Sequence, residues 1–269
     1  MTAPVSTPSS STSWEEVGVR LEVEGELAVV TLCDPKRRNA QTPAMWRALA
    51  AIGRELPGTV RVVLLRAEGL AFSAGLDRAM FSPEGIAGEQ GFAELAASSD
   101  QDLDAAIAEF QQAFTWWRRP DLITIAAVQG YAIGAGFQLA LACDLRVCAL
   151  DAQFSMRETS LGLVPDLAGT KPLVDLVGYG RALEICATGR LVGAEEAVAS
   201  GLANLAVPGE ELDATARDLV APLLAAPRSA VIETKALLLG AGQRSYDEQR
   251  AAERAAQARR LRDLAGIGD

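Results

Sequence analysis

Two glycine-bearing turns hold the first chemistry that can be read from this chain. Gly130, Gly134 and Gly136 fall between an apolar run ending at Val128 and a helix-forming stretch from Phe137 to Ala142. Glycine lets the backbone turn tightly and approach a ligand closely. The first turn of the helix that follows offers unpaired N–H groups and a positive partial charge, so a negative oxygen suits the place. A second turn, Ala71-Phe72-Ser73-Ala74-Gly75-Leu76-Asp77, follows the apolar run Val60 to Leu65. Two such turns, each after a buried strand, can aim two N–H donors at one oxygen, as an oxyanion hole requires. They are equally the form of ordinary strand-to-helix connections, and pattern alone does not separate the two readings. An absence narrows the proton chemistry: there is no histidine among the 269 residues. That excludes a Ser-His-Asp or Cys-His unit and any His-ligated metal. The simplest general base is then a carboxylate.

The elements that must position these turns can be traced along the chain. Val17 to Val23 alternates apolar and polar residues and Leu27 to Cys33 is rich in β-branched residues, so the pair reads as a hairpin about Glu24-Gly25-Glu26. Thr42 caps a helix with Pro43 in its first turn, running to about Leu56. Val60 to Leu65 is a buried strand. Residues 71–99 form a long connection rich in Gly, Ser and Ala, a length that marks it as functional or mobile. Asp102 to Arg119 is a helix stopped by Pro120. Leu122 to Val128, Leu145 to Ala149 and Gln153 to Ser155 are strands. Strands and helices alternate to Ala206, and helices alone continue to about Leu264, an α/β body with a helical appendage. Residues 1–13, rich in Ser, Thr and Pro, read as a disordered tail.

Composition removes several classes. A net charge of −10 argues against nucleic acid as partner, because phosphate neutralisation needs a basic face. No run approaches eighteen apolar residues, so no membrane span is expected. Cys33, Cys143, Cys148 and Cys186 form no C-x-x-C pair, which leaves no metal site and reads as buried thiols in a reducing cytoplasm. Lys36-Arg37-Arg38 is either a solvated loop or a local site for an anionic ligand. The Gly130–Gly136 spacing also resembles the cofactor turn of short-chain dehydrogenases. That family needs Tyr-x-x-x-Lys, and the three tyrosines here are followed four residues later by Ala135, Leu183 and Arg250.

Taken together and in order, the motifs resemble the enoyl-CoA hydratase/isomerase (crotonase) family from about Val17 to about Leu239. They are Pro35-Lys36-Arg37-Arg38-Asn39-Ala40, Phe72-Ser73-Ala74-Gly75-Leu76-Asp77, Gln129-Gly130-Tyr131-Ala132-Ile133-Gly134-Ala135-Gly136, Ala142-Cys143-Asp144, Ala152-Gln153-Phe154, Glu158, Leu161-Gly162-Leu163-Val164-Pro165, Thr188-Gly189-Arg190 and Thr234-Lys235-Ala236-Leu237. The resemblance implies an α/β fold: a crotonase-like spiral of β-β-α units over 14–206 and a C-terminal helical trimerisation region over 207–269. It implies an enzyme acting on acyl-CoA thioesters through an enolate, assembled as a homotrimer or a dimer of trimers, with no cofactor beyond the coenzyme A that is part of the substrate. Carried over by position, the oxyanion donors are the N–H groups of Leu76 and Ala135, the latter in place of the usual glycine, each worth about 3–4 kcal/mol to the transition state. The coenzyme A contacts fall on Lys36, Arg37, Arg38, Ser73 and Ala74, with Lys235 a further candidate.

The family's hydratases use two glutamates twenty residues apart. Glu158 matches the second, but the first position holds Gln138. An amide can hydrogen-bond a water but cannot take its proton. Isomerases of the family can work with one carboxylate at the Glu158 position, and in dienoyl-CoA isomerases an acid eight residues later serves as a second proton-transfer group. Asp166 stands at that spacing; it would also serve as an N-cap for a helix opening near Gly169. The catalytic candidates are thus Glu158, Asp166 and Gln138, and double-bond isomerisation is preferred over hydration. The alternatives are a hydratase in which Gln138 orients water and Glu158 does all the proton transfer, and a homologue that binds acyl-CoA without turning it over.

Overall fold

In the computed structural model, residues 12–267 are described. The expected tail lies outside them except for Thr12 and Ser13, which open a short helix, α1 (Thr12–Glu15). The hairpin follows as β1 (Val19–Glu24) and β2 (Leu27–Leu32), antiparallel about Gly25. Helix α2 (Pro43–Glu55) starts where its signals place it: the Thr42 hydroxyl accepts the Met45 N–H at 3.2 Å. Strand β3 (Val62–Ala67) lies two residues later than its apolar run suggests. Its bounds are set by parallel pairing with β2, in which Val62 lies opposite Leu27 and Ala67 opposite Leu32. The connection over 71–99 is partly ordered into a 3-10 turn (Arg78–Phe81) and a helix, α3 (Phe92–Ala97). Helix α4 (Asp100–Thr115) begins two residues before the expected start, capped by Ser99, and tightens into a 3-10 turn over Trp116–Arg118.

β4 (Ile123–Val128) leads into a strand that the glycine signals conceal, β5 (Tyr131–Ile133), and then α5 (Ala135–Ala142). Gly130 and Gly134, at φ 53° and 52°, bracket β5, and glycines so close together read as a turn. The three residues between them are a strand only because they pair with β7. β6 (Leu145–Ala149) and β7 (Gln153–Ser155) follow, then α6 (Thr170–Val177), α7 (Tyr179–Thr188), β8 (Val192–Gly193), α8 (Ala194–Ala199) and β9 (Leu205–Val207). The chain ends in α9 (Leu212–Asp218), α10 (Val220–Ala225), α11 (Arg228–Ala241) and α12 (Tyr246–Leu264).

The strands form a six-stranded sheet in the order β1-β2-β3-β4-β6-β9 and a three-stranded sheet in the order β5-β7-β8. Successive turns of the chain give one strand to the large sheet and the next segment to the small one: β4 then β5, β6 then β7. Two isolated bridges extend the small sheet backwards, Ser73 to Ala132 and Gln41 to Leu76. This is the β-β-α spiral that the motifs implied, and it sets the segments after β2, β3 and β4 side by side. Alternate residues of the large sheet face two cores. Ala28, Val30, Val63, Leu65, Ala126 and Val128 pack with Met45, Leu49, Phe114 and Leu139 from α2, α4 and α5. Val29, Val62, Leu64 and Ile125 meet Leu212, Ala216 and Val220 of α9 and α10. The first helices after residue 206 therefore complete the body's second layer. Among the described residues, no helix is long and apolar enough to cross a membrane.

Candidate active site

The spiral brings the two glycine turns together. Ser73 donates its N–H to Tyr131 O at 2.9 Å and accepts the Ile133 N–H at 3.0 Å. Gln41 N–H binds Gly75 O at 2.7 Å and Asp77 N–H binds Gln41 O at 2.8 Å, so alternation along this segment turns the Leu76 N–H the other way. Ala135 is the first residue of α5, where no intrahelical acceptor exists for its N–H. Among the described residues neither N–H has an acceptor. The approach is close: a Cβ on Gly75, whose φ is 84°, would stand 2.4 Å from Ile133 O and 3.6 Å from the Ala135 nitrogen. A Cβ on Gly136 would stand 2.6 Å from Ser73 O. These two glycines are required because backbone must pass backbone here.

Glu158 opens a 3-10 turn (Glu158–Leu161) after β7 and is buried beside the same turn. Its Oε1 lies 3.3 Å from where a Gly134 Cβ would be. Gln138, one turn into α5, donates its amide N–H to Glu158 Oε1 at 2.7 Å. Glu158 Oε2 is buried and has no partner among the described residues. Burial pushes the Glu158 carboxyl above the ordinary carboxylate range; bonds from backbone and Gln138 oppose this, and the nearby Asp166 charge adds to it. Asp166 is half-buried, and burial raises its carboxyl as well. The capping alternative for Asp166 does not hold: Gly169 is the N-cap of α6, with no side-chain cap. The backbone carbonyl of Asp166 accepts Gln111 Nε2 at 2.7 Å, which ties its loop to α4. Gln138 thus touches Glu158, and Asp166 lies near enough for its charge to act there.

The early basic loop is strapped to the second turn. Ala74 donates its N–H to Arg38 O at 2.9 Å. Arg37 bridges Asp34 at 2.6 Å and Asp77 at 2.9 Å, so its charge is committed. Lys36 and Arg38 are exposed and enter no ion pair among the described residues. Ser73 is fully buried, its hydroxyl donating to Asn39 O at 2.7 Å and accepting from Gln41 Nε2 at 3.2 Å. Trp46 Nε1 in turn holds Gln41 Oε1 at 2.8 Å, and Asn39 Nδ2 holds Glu68 O and Ala71 O at 2.9 Å each. Gln41 and Trp46 are not singled out by the sequence, and Asn39 enters only as part of the basic-loop motif. Polar groups beside an apolar helix start give no sign that they tie three loops into one wall.

Lys235 is not placed with these residues. It is buried on α11, with Nζ 2.6 Å from Leu122 O and 2.7 Å from Asp144 Oδ2. Asp144 Oδ2 also accepts the Thr124 N–H and hydroxyl at 2.8 and 3.0 Å. A lone lysine in a helix-forming stretch gives no sign that it points into the body. Its place is that of a lock between the C-terminal helices and the sheet. Lys235→Ala is expected to cost about 3 kcal/mol of stability, the lower end for a broken pair, because the Asp144 carboxylate is only partly buried when it loses its cation. Denaturant unfolding measures this, with KM for acyl-CoA unchanged at temperatures where the variant is folded. A raised KM with unchanged stability would return Lys235 to the ligand site.

Known proteins share this fold. A family model described as Enoyl-CoA hydratase/isomerase matches residues 22–263. A Thermobifida fusca YX protein named as an enoyl-CoA hydratase, solved in complex with CoA, superposes with a TM-score of 0.91 at 47% identity, over 96% of this chain and 98% of that one. A Thermobifida fusca YX structure of the same name in complex with acetoacetyl-CoA gives 0.90 at 48% identity, over 94% and 98%. The mitochondrial Delta(3,5)-Delta(2,4)-dienoyl-CoA isomerase of Dictyostelium discoideum is 31% identical over 187 residues, which are 69% of this chain and 63% of that protein's length. The model match runs from β1 through α12 and so takes in both turns and every acid at the site, and the chain belongs to the enoyl-CoA hydratase/isomerase family.

Proposed function

We propose that this chain moves a double bond within an enoyl-CoA thioester, with Glu158 as the base that takes and returns the proton. The observation that carries this reading is the direct 2.7 Å contact between Gln138 and Glu158. Concerted addition of water needs a second group able to exchange a proton, and the residue in that place is an amide. Among the described residues, one oxygen of Glu158 has no partner, and the carboxylate lies beside the Gly134 turn that offers the Ala135 N–H. In the proposed reaction Glu158 removes a proton from the α-carbon of a 3-enoyl thioester. The resulting negative charge collects on the thioester oxygen, held by the N–H groups of Leu76 and Ala135. The proton returns at the γ-carbon, which leaves the 2-enoyl product with no water consumed. Asp166 would serve the longer shift of a dienoyl substrate.

Exposed Lys36 and Arg38, with the backbone near Ser73 and Ala74, are the groups we assign to coenzyme A. The complexes of the Thermobifida fusca protein with CoA and acetoacetyl-CoA support that ligand class. For assembly we favour a trimer or a pair of trimers. Leu161, Val164, Tyr179 and Leu183 are exposed apolar residues on the 3-10 turn, its following loop and α7, and a second copy would cover them. Four free thiols support a cytoplasmic setting.

The hydratase name of the Thermobifida fusca protein favours a second reading, in which the other N–H of Gln138 orients water and Glu158 alone transfers protons. Purified protein supplied with 3-enoyl-, 2-enoyl- and 3,5-dienoyl-CoA separates them. Migration of the double bond is expected to outrun hydration of the 2-enoyl substrate. Robust hydration with slow migration would overturn the isomerase reading, and tight acyl-CoA binding with no product after long incubation would overturn both.

A further inference from the structure

We propose that Gln138 is a positioning residue that divides the two oxygens of Glu158 between fixed roles: Oε1 is anchored, and Oε2 alone carries the proton. The inference rests on the reading of Glu158 as the base. Gln138 is 1% exposed. Its Oε1 accepts the N–H groups of Leu167 at 2.9 Å and Gly169 at 3.2 Å. With its carbonyl so held, the amide cannot turn over, because the reverse orientation would set its NH2 against two N–H donors. The NH2 group therefore faces Glu158 Oε1, an acceptor when ionised, at 2.7 Å.

The loop that supplies the two donors is bent for this purpose. Ala168, between them, has φ 63°, a conformation a side chain disfavours. Gly169 has no Cβ, and one there would stand 2.7 Å from Gln138 Cγ and 2.9 Å from Oε1. A strained residue and a required glycine thus aim two backbone donors at one amide oxygen. The remaining carboxylate oxygen, Glu158 Oε2, is buried and unpartnered among the described residues. The titratable groups felt at Glu158 are Asp166 across the loop and Cys186 on α7.

Gln138→Glu is the test variant, since its carboxylate can still accept from Leu167 and Gly169. Its second oxygen would meet Glu158 Oε1 acceptor to acceptor, and the pair would share one proton. While that proton is shared, Glu158 Oε2 is still the ionised base, so the acid limb of kcat/KM for isomerisation marks the second protonation of the pair and is expected to move down by about one pH unit, with KM little changed. An acid limb that stays in place in a folded Gln138→Glu overturns the proposal. A second measurement uses the wild-type protein with 15N in its glutamine side-chain amides. One amide pair should titrate with the midpoint of the acid limb, and that movement should vanish in Glu158→Gln. No such pair overturns the proposal even if Gln138→Glu fails to fold. If Glu158→Gln instead keeps the wild-type rate, it is the base reading that has failed.

Discussion

Glu158→Gln is expected to lower kcat for double-bond migration by about 10²–10⁴-fold, the range that a positioned general base supplies. The substitution keeps the shape of the side chain and leaves Gln138 an oxygen to bond, so KM should change far less than kcat. Steady-state kinetics on 3-enoyl-CoA reads both, and exchange of the α-proton with solvent deuterium should fall in step with turnover. Unchanged kcat would mean that another group takes the proton, and the mechanism would be wrong. The pH dependence has a defined sign. Glu158 must be ionised to act, and burial holds its carboxyl above the ordinary range. Activity of the wild-type protein should therefore fall on acidification at a higher pH than an exposed carboxylate would give.

The same burial predicts what the variant does to stability. A carboxyl whose folded pKa exceeds its unfolded value binds its proton more tightly in the folded chain. Its favourable contribution is complete below the unfolded pKa and is lost as pH rises through the folded pKa. Glutamine at 158 never ionises, so the variant is expected to melt above the wild type, by a margin that widens from acidic to neutral pH. A wild type that melts higher at neutral pH would show that the ionised carboxylate is stabilised by its surroundings.

Ala135→Pro is expected to reduce kcat by about 10²–10³-fold, the usual loss on removing one oxyanion donor. Proline deletes the N–H and sets its ring Cδ where that hydrogen pointed, so an apolar group replaces the donor facing the oxyanion site. The first residue of a helix makes no intrahelical bond through its nitrogen, and the fixed φ of proline suits it. Gly134 before it, at φ 52° and ψ −118°, has no Cβ to meet the proline ring. A melting temperature near that of the wild type should accompany the loss of rate. If the folded variant keeps its activity, the charge on the thioester oxygen is held by other groups.

These outcomes also mark how far the sequence could be read. The strands β6 and β7 appear at Leu145–Ala149 and Gln153–Ser155, where they were expected, and Thr42 caps α2 through its own side chain. Local signals sufficed there because the reasons are local: side-chain branching, burial on both faces and one hydroxyl. β5 and β8 were missed because strands of three and two residues exist by pairing with β7, which no window of sequence contains. The motif order named Glu158, Gln138 and Asp166 as candidates for one site, and the absence of histidine pointed to a carboxylate as the base.

Lys235 marks the limit on the other side. Its motif matched a ligand-contacting family, yet the packing of α11 on the sheet turns its ammonium toward Asp144 and Leu122. Residue type and spacing pointed to the class of chemistry: two glycine turns, a carboxylate at Glu158, and an amide at Gln138 where a second acid was expected. Tertiary structure alone decided that the amide has one orientation and that Glu158 Oε2 has no partner among the described residues. The physical reason is that hydrogen-bond direction depends on where Leu167 and Gly169 lie relative to α5, and those donors stand 29 and 31 residues from Gln138 along the chain.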